Sequence, residues 1–407
     1  MLESQTFGIS GEDCKLMPQT HLAECLTMRE PSVQFTVDRD VLSEAVSWAA
    51  RSLSPRPPAP VLSGLLITAE NQQVVISSFD YEVSAQLSID AEIAHEGTVL
   101  VSGRLLNDIV KSLPHAPVTV SLEETKVILT CKSSTFTLTT MPVDEYPDLP
   151  AQPDVAGVVD GTAFARAVSQ VITAAARDDT LPLLTAVKLE IEGDTITFFA
   201  TDRYRLAMRE ITWRPTDPSI STSLQIKAKT LSEVAKSLAG AGDLALAISD
   251  DDALVGFSSG GRRTTSTLVD GDYPKIRQLF PEETPIHAVV NTAELIEAAR
   301  RVSLVSERNG YIRLQFTDDD RVTLDAGVDD NASASEAVGA QLSGEPITVG
   351  FNPSYLNEGL SVFDTEYLRF SFVSAPKPAM ITGQQEGEGE NSTDFRYLLM
   401  PVRLQDR

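Results

Sequence analysis

The side chains of this sequence best able to do chemistry are carboxylates, and they gather in two tight clusters, Asp250 to Asp252 and Asp318 to Asp320. Paired carboxylates hold the divalent cations of polymerases and nucleases. Both clusters, though, fall between alternating apolar runs, where aspartates are ordinary residues of a solvated hairpin turn. Asp80 and Asp202 would be candidates for an enzyme site at a domain junction; Asp202 is flanked by Arg203 and Arg205, so an ion pair or a turn is the simpler account. The four histidines, His21, His95, His115 and His287, are scattered, without the H-E-x-x-H spacing that holds zinc. Cys14, Cys25 and Cys131 form no C-x-x-C pair, which supports neither a zinc cluster nor a disulfide framework. A phosphate-cradling G-x-x-x-x-G-K-[ST] loop and a G-x-S-x-G nucleophile elbow are also missing, and Gly240, Gly242, Gly260 and Gly261 read as turns. No cofactor, metal or catalytic residue is expected, so function has to come from binding.

The elements that would position a site come three times over. APVLSGLLI at 59–67 matches LPLLTAVKL at 181–189, and SSFDYEVSA at 77–85 matches FATDRYRLA at 199–207, both at an offset of 122 residues. LNDIVKSL at 106–113 matches LSEVAKSL at 231–238 at an offset of 125, and DEYPDLP at 144–150 matches GDYPKIR at 271–277 at 127. Slow drift of this kind is what loop insertions between equivalent elements produce. A fainter third copy opens with VVNTAELIEAARRVSLV at 289–305 and carries PSYLNEGLSVF at 353–363 in the position of the second helix. Self-similarity at a fixed period marks a repeated structural unit.

Each copy opens with a short strand and then an amphipathic helix. Val41, Leu42, Ala45, Val46 and Ala49 give the first copy an apolar face at helical spacing; Phe164, Val168, Val171, Ile172 and Ala175 give the second one; Leu295, Ile296, Ala299 and Val302 give the third. A second helix is expected to bury Leu105, Ile109 and Leu113 in the first copy and Leu231, Val234, Ala235 and Leu238 in the second. Alternating runs such as KLEIEGDTITFFA at 188–200, turning at Glu192, Gly193 and Asp194, predict antiparallel hairpins between the helices. The fold class is therefore α+β, with three tandem similar domains at 34–151, 152–283 and 284–407, each of two helices on antiparallel sheets. Residues 1–33 are expected to form a flexible extension, with Met28 as an alternative start, and 384–394 a polar acidic loop.

At 407 residues with 42% hydrophobic and 22% charged side chains, the chain can bury real cores. Its front lacks a basic segment followed by an apolar one, and no run of 18 apolar residues occurs, so neither a signal peptide nor a spanning helix is expected and cytoplasm is the fitting compartment. A net charge of −25 argues at first against nucleic acid, whose binding needs lysine and arginine at phosphates. Local fields decide such contacts, and acids outside with bases inside a hole would satisfy both facts.

In their order and spacing, ATDRYRLA at 200–207, DYPKIRQLFP at 272–281, FNPSYL at 351–356 and YLLMPVRL at 397–404 resemble the bacterial β sliding clamp family, the processivity subunit of DNA polymerase III. The resemblance spans about 35 to 404, and DRDVLSEAVSWAARSL at 38–53 and ARDDTLPLLTAV at 176–187 look most like actinobacterial members. It implies a DNA clamp fold and a head-to-tail homodimer whose six domains close into a ring around duplex DNA, held by topology without reading sequence. It also implies a non-catalytic role, with polymerase activity belonging to the holoenzyme, and as partners the DNA polymerase III alpha subunit, the clamp loader, and other polymerases and repair proteins that dock through short peptide motifs. No membrane association is implied. By motif match, the peptide pocket would comprise Leu184, Thr201, Leu206, Pro274, Leu279, Met400, Pro401, Val402 and Arg403, with Asn352 and Tyr355 nearby and Arg203, Tyr204 and Gln278 at rim positions where better-known members carry other residue types. DNA contacts would come from Arg56 and Lys229 by motif, and from Arg104 and Lys111 by helix position; Phe136, Leu304 and Val305 match subunit-interface positions.

Overall fold

The structure, a computed structural model, describes residues 33–178, 180–238, 242–250, 253–307, 310–327, 332–385 and 391–404. Of the features singled out above, residues 1–32, Gly240, Asp251, Asp252 and the centre of the 384–394 loop lie outside the described residues. Among the described residues, six α-helices fall two to a repeat: α1 (Arg39–Ala49) and α2 (Gly103–Ser112), α3 (Gly161–Val171) and α4 (Ala228–Leu238), α5 (Thr292–Ser303) and α6 (Pro353–Leu360). The leading helix of each repeat starts by one device. Asp38, Asp160 and Asn291 accept side-chain hydrogen bonds from the N–H groups of Asp40 at 2.8 Å, Ala163 at 2.8 Å and Glu294 at 3.1 Å, satisfying donors that the first helical turn leaves without a partner.

The two helices of each repeat pack against each other and onto the strands. The core stripes sit one position away from part of the sequence-based expectation. In α1 the buried residues are Leu42, Ala45, Val46, Trp48 and Ala49, and Val41 is exposed; in α2 they are Gly103, Leu106, Ile109 and Val110, continued by Leu113, and Leu105 is exposed. Leu42, Ala45, Val46 and Ala49, like Leu106, Ile109, Val110 and Leu113, follow the i, i+3, i+4, i+7 order of a single helical face, which Val41 and Leu105 do not share. In the second repeat Phe164 of α3 lies edge-on to Phe198 and tilted on Phe257, each at 5.7 Å between ring centres.

The carboxylate clusters are turns where they are described. Asp318 to Asp320 connect Ile312–Thr317 to Arg321–Ala326, and Asp250 follows Asp243–Ile248 before the return strand Leu254–Ser259. Two long antiparallel sheets, of 14 and 12 strands, run through the chain, and each crosses a repeat boundary. At the first joint Val83–Asp90 pairs with Arg262–Thr267, Val83 opposite Ser266 and Leu87 opposite Arg262. At the second, Arg205–Thr212 pairs with Asn391–Leu399, Arg205 opposite Leu399 and Arg209 opposite Phe395. Val83 and Arg205 are related by the 122-residue offset, so one strand of the repeat makes both joints. A ladder of main-chain hydrogen bonds fixes the relative orientation of neighbouring repeats far more firmly than a linker would.

The matching strand of the third repeat is Ala334–Ser343; among the described residues, 334–339 pair on one side only, with Arg321–Ala326. In the first repeat, the counterpart of Arg262–Thr267 is Ser134–Met141, and its residues 134–139 pair only with Lys126–Cys131. The core also differs between the joints. The main cluster of buried apolar residues in the second and third repeats, from Val159 to Leu399, is continuous across both, whereas the main cluster of the first, from Val33 to Leu138, stands by itself.

Candidate binding site at the second joint

The hairpin turn at 201–206 is built by Asp202. Its carboxylate accepts from the N–H groups of Tyr204 and Arg205, both at 3.0 Å, while Arg203 takes a left-handed φ of 79°. The first repeat repeats this turn: Asp80 accepts from Glu82 and Val83 at 3.0 and 2.7 Å, and Tyr81 has a φ of 74°. Both aspartates are thus spent on backbone donors, which accounts for them without a metal or a reaction. Thr201 is similarly engaged, its hydroxyl donating to the Arg205 carbonyl at 2.8 Å and accepting from the Arg203 N–H at 3.2 Å.

Beyond the turn the two joints part. Arg205 is nearly fully buried, its side chain 3% exposed, and it ion-pairs with Asp202 at 3.0 Å and with Glu358 of α6 at 2.6 Å. Its guanidinium lies 4.5 Å from the ring centre of Tyr355, a cation–π contact. Burial works against the charged form, but Tyr397, Glu358 and Asp202 more than offset it and hold Arg205 protonated above the usual arginine range. Glu358 takes a second arginine, Arg177, at 3.0 Å from the loop that leads into Leu184.

The C-terminal segment closes over this turn. The Met400 N–H donates to the Tyr204 carbonyl at 2.9 Å, the Val402 N–H donates to Gly350 at 2.8 Å, and the Tyr204 and Tyr355 rings stack at 6.0 Å. Leu206 lies opposite Leu398 across the joint and is buried with Phe199, Met208, Tyr273, Ile276 and Phe280. The floor of the expected pocket is therefore closed: Leu184 and Leu206 are core residues, 6% and 3% exposed. Leu279, Met400 and Tyr204 stand out from it at 55%, 42% and 59% exposure. Exposed apolar groups gathered around a buried apolar floor are the kind of surface that is able to bind a partner.

The remaining expected residues fall around this centre. Pro274 and Gln278 line an adjoining groove of about 1190 Å³ with Lys275, Arg277, Met380 and Arg396. Asn352 is the N-cap of α6, its amide oxygen accepting from Ser354 and Tyr355 at 3.0 and 3.2 Å, so that oxygen is taken. Pro401 and Val402 are half-buried and Arg403 is exposed. Elsewhere, Arg56, Arg104, Lys111 and Lys229 are exposed; Leu304 is 83% exposed just past α5, Val305 packs partly on the core, and Phe136 is half-buried against the first repeat's core. Glu358, Arg177 and Tyr397 were not singled out from the sequence. Their partners come from distant segments, and no local spacing signals them.

Three family profiles match the chain in succession, described as the N-terminal domain of the DNA polymerase III beta subunit over residues 33–150, the central domain over 158–275 and the C-terminal domain over 277–403. The chain belongs to the DNA polymerase III beta subunit family. Its relatives include the beta sliding clamp of Micrococcus luteus, 68% identical over 75% of this chain and 98% of that protein, and that of Streptomyces coelicolor, 51% identical over 91% of this chain and all of that one. Among solved structures, the DNA polymerase sliding clamp of Bacillus subtilis superposes with a TM-score of 0.86 at 27% identity, covering 92% of this chain and 100% of that one. A Pseudomonas aeruginosa sliding clamp bound to griselimycin superposes at 0.84, with 27% identity and coverage of 92% and 100%. The beta subunit family is one of non-catalytic processivity factors, which agrees with the use of Asp80 and Asp202 in turns.

Proposed function

We propose that the chain is half of a ring that encircles duplex DNA, and that the second joint is where partners dock. One observation carries the reading. Each internal joint pairs the strand after the hairpin turn with the last strand of the following repeat, and among the described residues one copy of each partner is unpaired on one side, residues 334–339 and 134–139. A second copy, placed head to tail, supplies each open edge with its complement and removes edges that would otherwise invite aggregation. Leu304, exposed at 83%, and Phe136 on the open strand are then interface residues, with Val305 beside them.

In such a ring the domains 34–151, 152–283 and 284–407 each contribute a helix pair to the hole. Arg56, Arg104, Lys111 and Lys229 then meet phosphates loosely, which binds DNA without reading it and permits sliding despite the net charge of −25. The surface of Leu279, Met400, Tyr204, Pro401, Val402 and Arg403 receives short peptide segments of the polymerase alpha subunit, the clamp loader and repair proteins, raising their effective concentration at the primer end. Light scattering tests the assembly. It is expected to give about 88 kDa, twice the 44.0 kDa chain, and a monomer mass at micromolar concentration would overturn the ring.

A further inference from the structure

We infer that Arg205 and Glu358 form a latch between the second and third repeats that positions the proposed peptide pocket without touching the peptide. The inference rests on the pocket reading above. Three segments that carry pocket residues meet at this pair: the 201–206 turn through Asp202 and Arg205, α6 through Glu358 and Tyr355, and the loop before Leu184 through Arg177. With 3% of its side chain exposed and its donors turned to two carboxylates, Arg205 offers nothing to an incoming peptide. What it does is hold Tyr204 and Tyr355 in register at the rim. Its guanidinium covers the Tyr355 ring, and that ring in turn stacks on Tyr204, whose carbonyl accepts the Met400 N–H.

The first joint shows that the latch is unnecessary for joining two repeats. There Val83 stands in the place of Arg205 and Glu233 in that of Glu358, by the 122- and 125-residue offsets, yet the strands pair just as at the second joint. With no buried arginine, a cleft of about 830 Å³ lined by Val83, Glu233, Trp48 and Lys229 stays open. At the second joint the corresponding positions hold Arg205, Tyr355 and Glu358, in contact with one another. A feature that the fold does not need, placed where the pocket segments converge, is a positioning device.

The test uses the full chain and a fluorescent peptide carrying a Leu-Phe pair. Glu358→Ala, at a partly exposed position, and Arg205→Met are each expected to weaken the peptide about fivefold or more, and the double variant about as much as the stronger single one, because both remove one latch. Glu358→Gln, which keeps an acceptor for Arg205, should recover affinity to within about twofold, and Glu233→Ala at the first joint should change nothing. Folded Glu358→Ala and Arg205→Met chains that bind within about twofold of the natural chain would overturn the latch, as would fully additive losses. A natural chain that fails to bind the probe sinks the pocket reading and the latch with it; binding that both variants keep sinks the latch alone.

Discussion

The two internal joints share a backbone and differ in what their side chains do with it. Both are closed by the same strand, after the same aspartate-built turn with a left-handed residue at its tip, Tyr81 in one and Arg203 in the other. The first keeps its apolar core separate from the next repeat and leaves a cleft; its cross-joint ion pairs, Lys227 with Glu82 and Arg262 with Glu44, are exposed or half-buried. The second merges two cores and buries Arg205 among Asp202, Glu358, Tyr355 and Tyr397. Joining repeats therefore takes main-chain pairing with ordinary polar contacts, and no buried arginine. The added buried chemistry marks the joint that does something further.

The sharpest way to break this comparison is to remove the two turn aspartates one at a time. Asp202→Ala deprives two N–H groups of an acceptor and leaves buried Arg205 with one carboxylate fewer, and should cost about 3 kcal/mol. Asp80→Ala loses only the turn bonds and should cost about 1 kcal/mol. Equal losses in denaturant unfolding would mean that Arg205 adds nothing to the second joint. Next in size is Gly359→Ala. A methyl group there meets the Tyr397 ring directly, and the strain should cost about 1 to 3 kcal/mol, whereas the equivalent place in α4 already holds Val234, with no tyrosine behind it. A melting temperature unchanged by this substitution would contradict the tight packing ascribed to the second joint.

The smallest effect concerns acid. Burial tends to raise the Glu190 carboxyl, but hydrogen bonds from Lys188 and Arg277 more than offset that and hold it below the ordinary glutamate range; the matching position in the first repeat is Thr68. A carboxylate lowered in the folded state contributes stability above its unfolded pKa, and that contribution disappears as pH falls through the lowered folded value. Glu190→Gln should therefore flatten the acid limb of melting temperature against pH. An identical limb in both proteins would show that Glu190 plays no part in it.

Much of the architecture was legible in the sequence because periodicity and repeat offsets are local signals. The strand and helix order, the turns at Asp202 and Asp318 to Asp320, and the α+β class follow from residues a few places apart, whereas the turn at Asp80 was not read. The helix stripes were read correctly to within one position, and the error at Val41 and Leu105 is that of an apolar residue adjacent to a buried face. Burial of individual pocket residues was not legible. Leu206 and Leu279 carry the same side chain, yet one lies opposite Leu398 in a sheet joint and the other projects from a short turn. The Arg205–Glu358 pair was hidden for a stronger reason: its members are 153 residues apart, and nothing near either predicts the other.

Closed encirclement is the central claim of the proposed function, and retention on DNA tests it most directly. Loaded by a bacterial clamp loader onto a nicked circular duplex, the protein should stay bound through gel filtration at a salt concentration that strips ordinary phosphate contacts, and should run off once the circle is cut. Loss from the intact circle, or equal retention on the linear form, would contradict the ring.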